Sequence, residues 1–470
     1  MGLRFFNTLT RRIEDFVPLR AGEVRLYTCG PTVYDFAHIG NFRTYLWEDL
    51  LRRHLELRGL RVRQIMNLTD VDDKTIANSL KAGVSLEEYT ERYIQAFFED
   101  LDALGIERAE RFPRATEHIP EMVDLVRRLQ EKGHIYESKG SLYFKIDTFP
   151  GYGTLAGVDP TAAAAGSAHA RIDSDEYDKD DPRDFAVWKM RSEGEPYWDT
   201  AIGAGRPGWH LECSAMSMKY LGETFDMHTG GVDNIFPHHT NEIAQSEAAT
   251  GKPFVRMWLH AAHLIVEGEK MSKSRGNFYT LRDLMGRGYG PRPIRYLLLS
   301  VHYRKPLNFT FEGLAQSQAA LDRLDDLAFR LERQDLPPGG SAEFAAVARA
   351  AKDSMLEALD ADLNIAGALG SLFDLVREAN TLLDGGRAGR DDAAAARDVL
   401  AVFERVTGIG LGRRESLDRD IEAMVEKRNQ ARAARDYALA DRLRDDLLAR
   451  GIVLEDTPQG VRWKRKGTGS

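Results

Sequence analysis

Two short strings set far apart in the chain carry side chains suited to phosphate chemistry. His38-Ile39-Gly40-Asn41 offers an imidazole and a carboxamide, and Lys270-Met271-Ser272-Lys273-Ser274 offers two ammonium groups. Together they describe an ATP site organised for attack at the α-phosphate, with His38, Asn41, Lys270 and Lys273 as its catalytic groups. The first string follows an apolar run into glycine, Val24 to Gly30, which predicts a strand entering a turn. It then opens a segment with Leu46, Leu50, Leu51 and Leu55 at helical spacing. At such a crossing in a parallel sheet, unpaired N–H groups at the helix start face phosphate. Gly40 leaves room for adenine to approach the backbone, so His38, Gly40, Asn41 and Lys273 are the expected ATP-binding residues. The second string lies in a Ser/Gly-rich stretch ending at Gly276, which suits a loop closing on departing pyrophosphate. Alone, His38 reads equally as a helix cap and the Lys-Ser string as a solvated loop; their joint occurrence carries the reading.

On these strings the chain resembles the class I aminoacyl-tRNA synthetases, with Asn41 replacing the second histidine of that class's first signature. Three further segments narrow the resemblance to the cysteinyl family: Thr28-Cys29-Gly30-Pro31-Thr32-Val33-Tyr34-Asp35, Gly208-Trp209-His210-Leu211-Glu212-Cys213-Ser214-Ala215-Met216, and Phe236-Pro237-His238-His239 through Asn241-Glu242. They occur in the family's order, and the likeness covers nearly the whole chain. It implies an α/β fold: a class I Rossmann-type doubly wound catalytic domain with an insertion, then a helical bundle and a small C-terminal anticodon-binding module. It also implies cysteine, ATP with Mg2+, and the tRNA that reads cysteine codons as substrates, an acyl-adenylate intermediate, and attack by the 2′-hydroxyl. Positioning and charge stabilisation suffice for such phosphoryl transfer, so no protein nucleophile is assigned.

The resemblance further implies one zinc ion held by Cys29, Cys213, His238 and Glu242, with His239 behind His238. Residue chemistry supports this independently, because two thiolates, an imidazole and a carboxylate match zinc's preferences. His238 and Glu242 are four apart after Pro237 and can share a helix face, while Cys29 ends a strand at the sheet's carboxyl edge. Without the family, two buried structural cysteines and a capping His-Glu pair remain open. A metal would explain selectivity, since shape alone separates cysteine from serine only weakly. Trp209 is expected to wall the amino-acid pocket, Thr69 to line it at the strand edge, and His228 and Asp233 to lie near the substrate ammonium. Three positions depart from the family: Thr229 stands where glycine is common, Asn234 where an apolar residue is usual, and Thr240 where glutamate is usual. Lys74-Thr75-Ile76-Ala77 lacks the second lysine of a pattern tied to a persulfide side activity, so that activity is not expected.

The chain has 470 residues, enough for several cores, and its 43% hydrophobic and 29% charged content suits a globular protein. No run of 18 apolar residues occurs and the first residues lack a sustained apolar core, so a secretory signal or membrane span is not expected and the location should be cytoplasmic. Two cysteines exclude a disulfide framework, and a reducing compartment favours metal ligation over a single bridge. Net charge is −9, yet residues 412–470 hold 14 Lys and Arg against 11 Asp and Glu, leaving +3 on the tail and −12 on the body. A locally basic module on an acidic body is compatible with tRNA.

The expected division is residues 1–114 for the first Rossmann half, 115–196 for an insertion contacting the tRNA acceptor end, 197–265 for the second half, 266–325 for a stem-contact region with the lysine loop, 326–411 for the bundle, and 412–470 for the anticodon module. Strands are expected near Val24–Thr28 and Leu60–Asn67, a helix at Pro120–Lys132, hairpin strands at Ile135–Ile146, a low-complexity stretch at Ala162–Ala170 and an acidic loop at Asp173–Pro182. The chain should be helical from about Pro291 to Thr407, with a linker at Gly408–Gly412. In the tail, Arg428, Arg432, Arg435 and Arg442 read as exposed and Trp463 as a stacking surface. Two rivals remain: a cysteine ligase acting on an amino-sugar in low-molecular-weight thiol synthesis, and a non-enzymatic cysteine- or zinc-binding relative. Cysteine-dependent pyrophosphate exchange and the identity of the acceptor discriminate among them.

Overall fold

The chain enters through a short hairpin, β1 (Arg4–Asn7) and β2 (Arg12–Asp15), before the first core strand, β3 (Glu23–Thr28). Helix α1 (Ile39–Leu57) then crosses to β4 (Arg61–Met66), and Gly59, at φ +82°, makes the turn between them. Val24 through Thr28 are all buried, as expected of a parallel strand covered on both faces. Two helices follow, α2 (Asp73–Ala82) and α3 (Leu86–Leu104). The computed structural model describes residues 2–158, 181, 183–333, 335–411, 416–450, 452–457 and 460–465. The low-complexity stretch and nearly all of the acidic loop lie outside the described residues.

The inserted region packs α4 (Ile119–Glu131) against an antiparallel sheet of β5 (Ile135–Ser138), β6 (Ser141–Phe144), β7 (Phe185–Met190) and β8 (Gly205–Pro207), paired in that order. Strand β8 belongs to this sheet, so the inserted layer reaches beyond residue 196. The nucleotide-type sheet resumes with β9 (Phe225–Gly231) and β10 (Val255–Ala261).

The core sheet is parallel in the order β10-β9-β3-β4. From β3 the chain steps outward to β4, and from β9 it steps the opposite way to β10. The direction of winding therefore reverses between β3 and β9, and the crevice beyond their carboxyl ends is where an open α/β sheet binds ligands. Gly30 makes that edge compact. A Cβ there would lie 1.8 Å from the Asn67 carbonyl oxygen, while the Gly30 N–H donates to Asn67 Oδ1 at 2.9 Å. Only glycine lets the turn after β3 lie on the turn after β4.

Strands β11 (Leu264–Val266), β12 (Glu269–Lys270) and β13 (Leu307–Phe309) form a small mixed sheet that carries the lysine loop. Strand β13 interrupts the stretch expected to be helical from Pro291, because β11 recruits it as a parallel partner and buries Leu307 and Phe309. Helix Phe311–Arg333 runs continuously through residues 325 and 326, so the region below the loop and the bundle share one helix. The bundle continues with helices Ala342–Asp360, Ile365–Asp384 and Arg390–Thr407. Gly408, at φ +58°, ends the last of them.

Residues 1–409 form one compact unit and residues 410–470 a second. The second pairs helices Ser416–Ala433 and Tyr437–Ala449 with a hairpin of β14 (Ile452–Thr457) and β15 (Gly460–Arg465). Its core is Ile421, Val425, Leu447 and Ile452. Arg432, Arg435 and Arg442 are exposed, whereas Arg428 is buried and corrects the expectation of a solvated face there. The Trp463 side chain lies outside the described residues. Among the described residues no helix is long and apolar enough to cross a membrane.

Candidate active site and metal centre

His38 is the N-cap of α1, with extended backbone angles and its Nδ1 accepting the Asn41 N–H at 3.2 Å. Asn41 closes the box in return, its Oδ1 accepting the His38 N–H at 3.1 Å. The residue that departs from the class signature thus has a structural use, completing the cap of the helix that starts the nucleotide turn. Because Nδ1 accepts, the imidazole proton resides on Nε2 and is available to a ligand. Burial pushes the ring's pKa down to about 4, against the opposing pull of Asp233 and Asp35, so the ring is neutral at pH 7. Gly40 has a second reason to be glycine: a Cβ there would meet the His38 ring at 2.9 Å and the Met271 methyl at 3.3 Å.

The lysine loop docks on this turn. Ile39 N–H donates to the Tyr279 carbonyl at 3.0 Å, and His38 forms an antiparallel bridge with Thr280. Within the loop, Asn277 accepts from Ser272 N–H at 2.8 Å and donates to the Lys270 carbonyl at 3.2 Å. Lys270 lies exposed on β12. Lys273 pairs with Asp35 and sits over the Phe278 ring, whose edge meets His38 at a centroid distance of 5.1 Å. Asp233, exposed in the turn after β9, faces the same imidazole electrostatically.

Deeper in the crevice, one ligand atom each of Cys29, His238, His239 and Glu242 lies within 4.8 Å of the others. Glu242 Oε1 is 3.1 Å from His238 Nε2 and 4.0 Å from His239 Nε2, and Cys29 Sγ is 3.3 Å from His239 Nε2. Cys213, on helix Trp209–Leu221, is buried beside the Cys29 thiol rather than within this tight group, and both cysteines are free thiols. His239 joins the group because its Nδ1 is held by His260 Nε2 at 2.8 Å and its Nε2 faces Cys29 and Glu242.

Several features fit a cation here. Glu242 Oε1 is buried without a well-formed hydrogen bond. Burial pushes the Glu242 carboxyl up to about 8 and His238 down to about 4, and raises both thiols. The donors have all lost their hydration, Glu242 Oε1 is left without a hydrogen-bond partner, and the donor types suit a soft divalent ion. Around the group, His210 Nδ1 lies 2.8 Å from His238 Nδ1, and His228 Nε2 lies 3.2 Å from Glu242 Oε2. The residue types of His210 and His260 gave no spacing signal of their own, since their partners are brought by other strands and helices. His228 is fully buried and stacked on Trp258, beneath the cluster. Trp209 stacks on His238 at 4.1 Å, half-buried at the mouth. Thr69 is buried at the adjoining turn, its Oγ1 accepting from Asn67 Nδ2 at 3.1 Å.

Thr229 shows what a departure from the family pattern does. Its hydroxyl donates to Glu48 Oε1 on α1 at 2.7 Å, and both side chains are fully buried. Burial holds the Glu48 carboxyl up to about 8. Thr229 also accepts, through its carbonyl, the Cys29 N–H at 3.3 Å, so one residue ties α1, β9 and the turn after β3.

A capped nucleotide turn at the switch point of a parallel sheet, with a lysine loop docked over it, defines the class I aminoacyl-tRNA synthetase architecture. A family model described as the tRNA synthetases class I (C) catalytic domain matches residues 15–319, a DALR domain matches 355–412, and a cysteinyl-tRNA ligase anticodon binding domain matches 414–463. The fold is similar to Mycobacterium tuberculosis methionyl-tRNA synthetase bound by methionyl-adenylate, with a TM-score of 0.63 at 17% identity over 82% of this chain and 92% of that one. The sequence is 53% identical to the cysteine–tRNA ligase of Solibacter usitatus over 99% of this chain and 100% of the relative, and 51% identical to that of Brachyspira hyodysenteriae over 98% and 99%. The chain belongs to the cysteine–tRNA ligase family of the class I aminoacyl-tRNA synthetases, enzymes that charge tRNA using ATP and an amino acid.

Proposed function

We propose that the enzyme joins L-cysteine to cysteine tRNA in two steps through a cysteinyl adenylate, with Cys29, Cys213, His238 and Glu242 holding a zinc ion. When bound, zinc lowers a thiol's pKa and prefers the soft thiolate to a neutral hydroxyl, which separates cysteine from serine where shape alone gives only about 10². His228 and His210 orient Glu242 and His238, Trp209 walls the pocket, Thr69 lines it, and Asp233 attracts the substrate ammonium. His38, Gly40 and Asn41 hold ATP, accompanied by Mg2+. The substrate carboxylate attacks the α-phosphate in line, Lys270 and Lys273 take up charge on the departing pyrophosphate, and the terminal 2′-hydroxyl of tRNA then attacks the adenylate. Residues from about 412 recognise the anticodon end, and the inserted layer, from about 115 through β8, contacts the acceptor end.

The observation that carries this reading is the shared edge: the capped turn after β3 and the Cys-His-Glu group both open at the carboxyl ends of β3 and β9. Pyrophosphate exchange with cysteine against serine, followed by charging of cysteine tRNA, tests it. Exchange should require cysteine and discriminate against serine by well over the ~10² that shape alone gives. Equal exchange with serine would sink the thiolate selection, and transfer to an amino-sugar but not tRNA would move the enzyme to the rival ligase class.

A further inference from the structure

Asp35 stands three residues before His38 and has no part in the roles above. Its carboxylate pairs with Lys273, and the two partners differ in how firmly they are held. The Asp35 segment is clamped by α3. The Tyr34 carbonyl accepts from the Tyr89 hydroxyl at 2.9 Å, the Phe36 ring meets Tyr93 at 5.2 Å, and Arg92 and Arg282 lie over the same ring. Asp35 Oδ1 accepts the Phe36 N–H at 2.8 Å, which fixes the carboxylate itself. Lys273, by contrast, is a long side chain left 61% exposed, and its loop backbone is already stitched to the nucleotide turn. Its ammonium can change partner by rotating the stem while the backbone stays docked.

We propose that Asp35 is a positioning residue that serves as the exchange partner of Lys273: its carboxylate holds the ammonium over the nucleotide turn when no phosphate is present, and competes with phosphate oxygens for it. This rests on Lys273 acting at the leaving phosphates. Both acceptors are anionic oxygens that draw on the same ammonium; its three N–H donors can be shared, but an ammonium pulled towards one anion is held less closely by the other, so the two compete. An arriving triphosphate therefore pulls Lys273 at least partly away from Asp35. After bond cleavage, the fixed carboxylate draws it back and weakens the hold on pyrophosphate.

Titration of the full-length enzyme with magnesium pyrophosphate tests the exchange. Asp35→Asn removes the competitor and should tighten pyrophosphate binding about 2- to 5-fold at low ionic strength, the range of an exposed ion pair, with less gain in high salt. Asp35→Glu should stay close to the wild type. The gain from Asp35→Asn should shrink when Lys273→Ala is already present, because the competition acts through the ammonium. Amide hydrogen exchange across residues 270–277 should be the same in ligand-free Asp35→Asn and the wild type, because the backbone stays docked when the ammonium changes partner. Weaker pyrophosphate binding in Asp35→Asn would overturn the proposal, as would a gain undiminished by Lys273→Ala, which would mean simple repulsion. Faster loop exchange in the ligand-free variant would overturn it too, since Asp35 would then hold the loop backbone rather than the ammonium alone. Should Lys273→Ala alone leave pyrophosphate binding intact, the assignment of Lys273 fails instead.

Discussion

Replacing Thr229 by valine removes a hydroxyl and leaves the shape of the side chain nearly intact. The hydroxyl is the partner of Glu48 Oε1 at 2.7 Å, and Glu48 Oε2 is already buried without one. Both residues are fully buried, so water cannot take over the lost bond. Leaving a buried polar group unpaired costs about 1–3 kcal/mol. For a large domain this lowers the melting temperature by a few degrees, on the order of 2–4 °C per kcal/mol or somewhat less. The same variant loosens α1 against β9, so cysteine-dependent pyrophosphate exchange should slow while binding of each substrate changes little. Scanning calorimetry and exchange kinetics on Thr229→Val, Thr229→Ser and the double variant Thr229→Val with Glu48→Met measure it. Serine keeps the donor and should recover most of the loss; the double variant removes both polar partners and should recover stability. A Thr229→Val protein that melts with the wild type would refute the strut, because Glu48 would then have another way to satisfy its oxygens.

Glu48 also sets a pH dependence. Its folded pKa is raised by burial to about 8 from an ordinary 4.5, so the folded state holds a proton that the unfolded chain has lost, and stability should fall as pH rises through that window, by at most about 1.4 kcal/mol per pH unit. Glu48→Gln cannot ionise, and its stability relative to the wild type should climb over the same range; parallel curves would contradict the assignment. Cys213→Ser should lose bound metal by elemental analysis and lose cysteine binding while keeping ATP binding, whereas full cysteine affinity in metal-free protein would remove the metal from substrate selection. Lys273→Ala should lower kcat for adenylation by about 10²-fold or more, and a normal kcat with only a raised KM for ATP would show a ground-state role. Cutting the chain after Ile409, at the boundary of the compact units, should preserve pyrophosphate exchange and raise KM for tRNA; undiminished charging would argue against an anticodon role for the second unit.

Much of the nucleotide turn was legible in the residues themselves. A helix cap and the strand before it are local: Val24, Leu26 and Tyr27 give β3 its apolar run around the single charged Arg25, and His38 with Asn41 three residues on has the spacing of a capping box. The same holds for Gly59 ending α1 and for the apolar faces that form the core of the C-terminal unit. What spacing cannot encode is which distant residue completes a group. That Cys29 meets His239 at 3.3 Å, that His260 turns His239 inward, and that Asp35 takes Lys273 all depend on strands and a loop from distant parts of the chain meeting at one edge. Thr229 looks like an isolated departure until α1 is laid across β9 and Glu48 arrives beneath it. Strand β13 and the buried Arg428 follow the same logic, since pairing with β11 and burial in the folded chain override local preference. Local hydrogen bonding and periodicity are short-range and survive in the sequence, whereas desolvation and the matching of buried donors to acceptors exist only once the chain has folded.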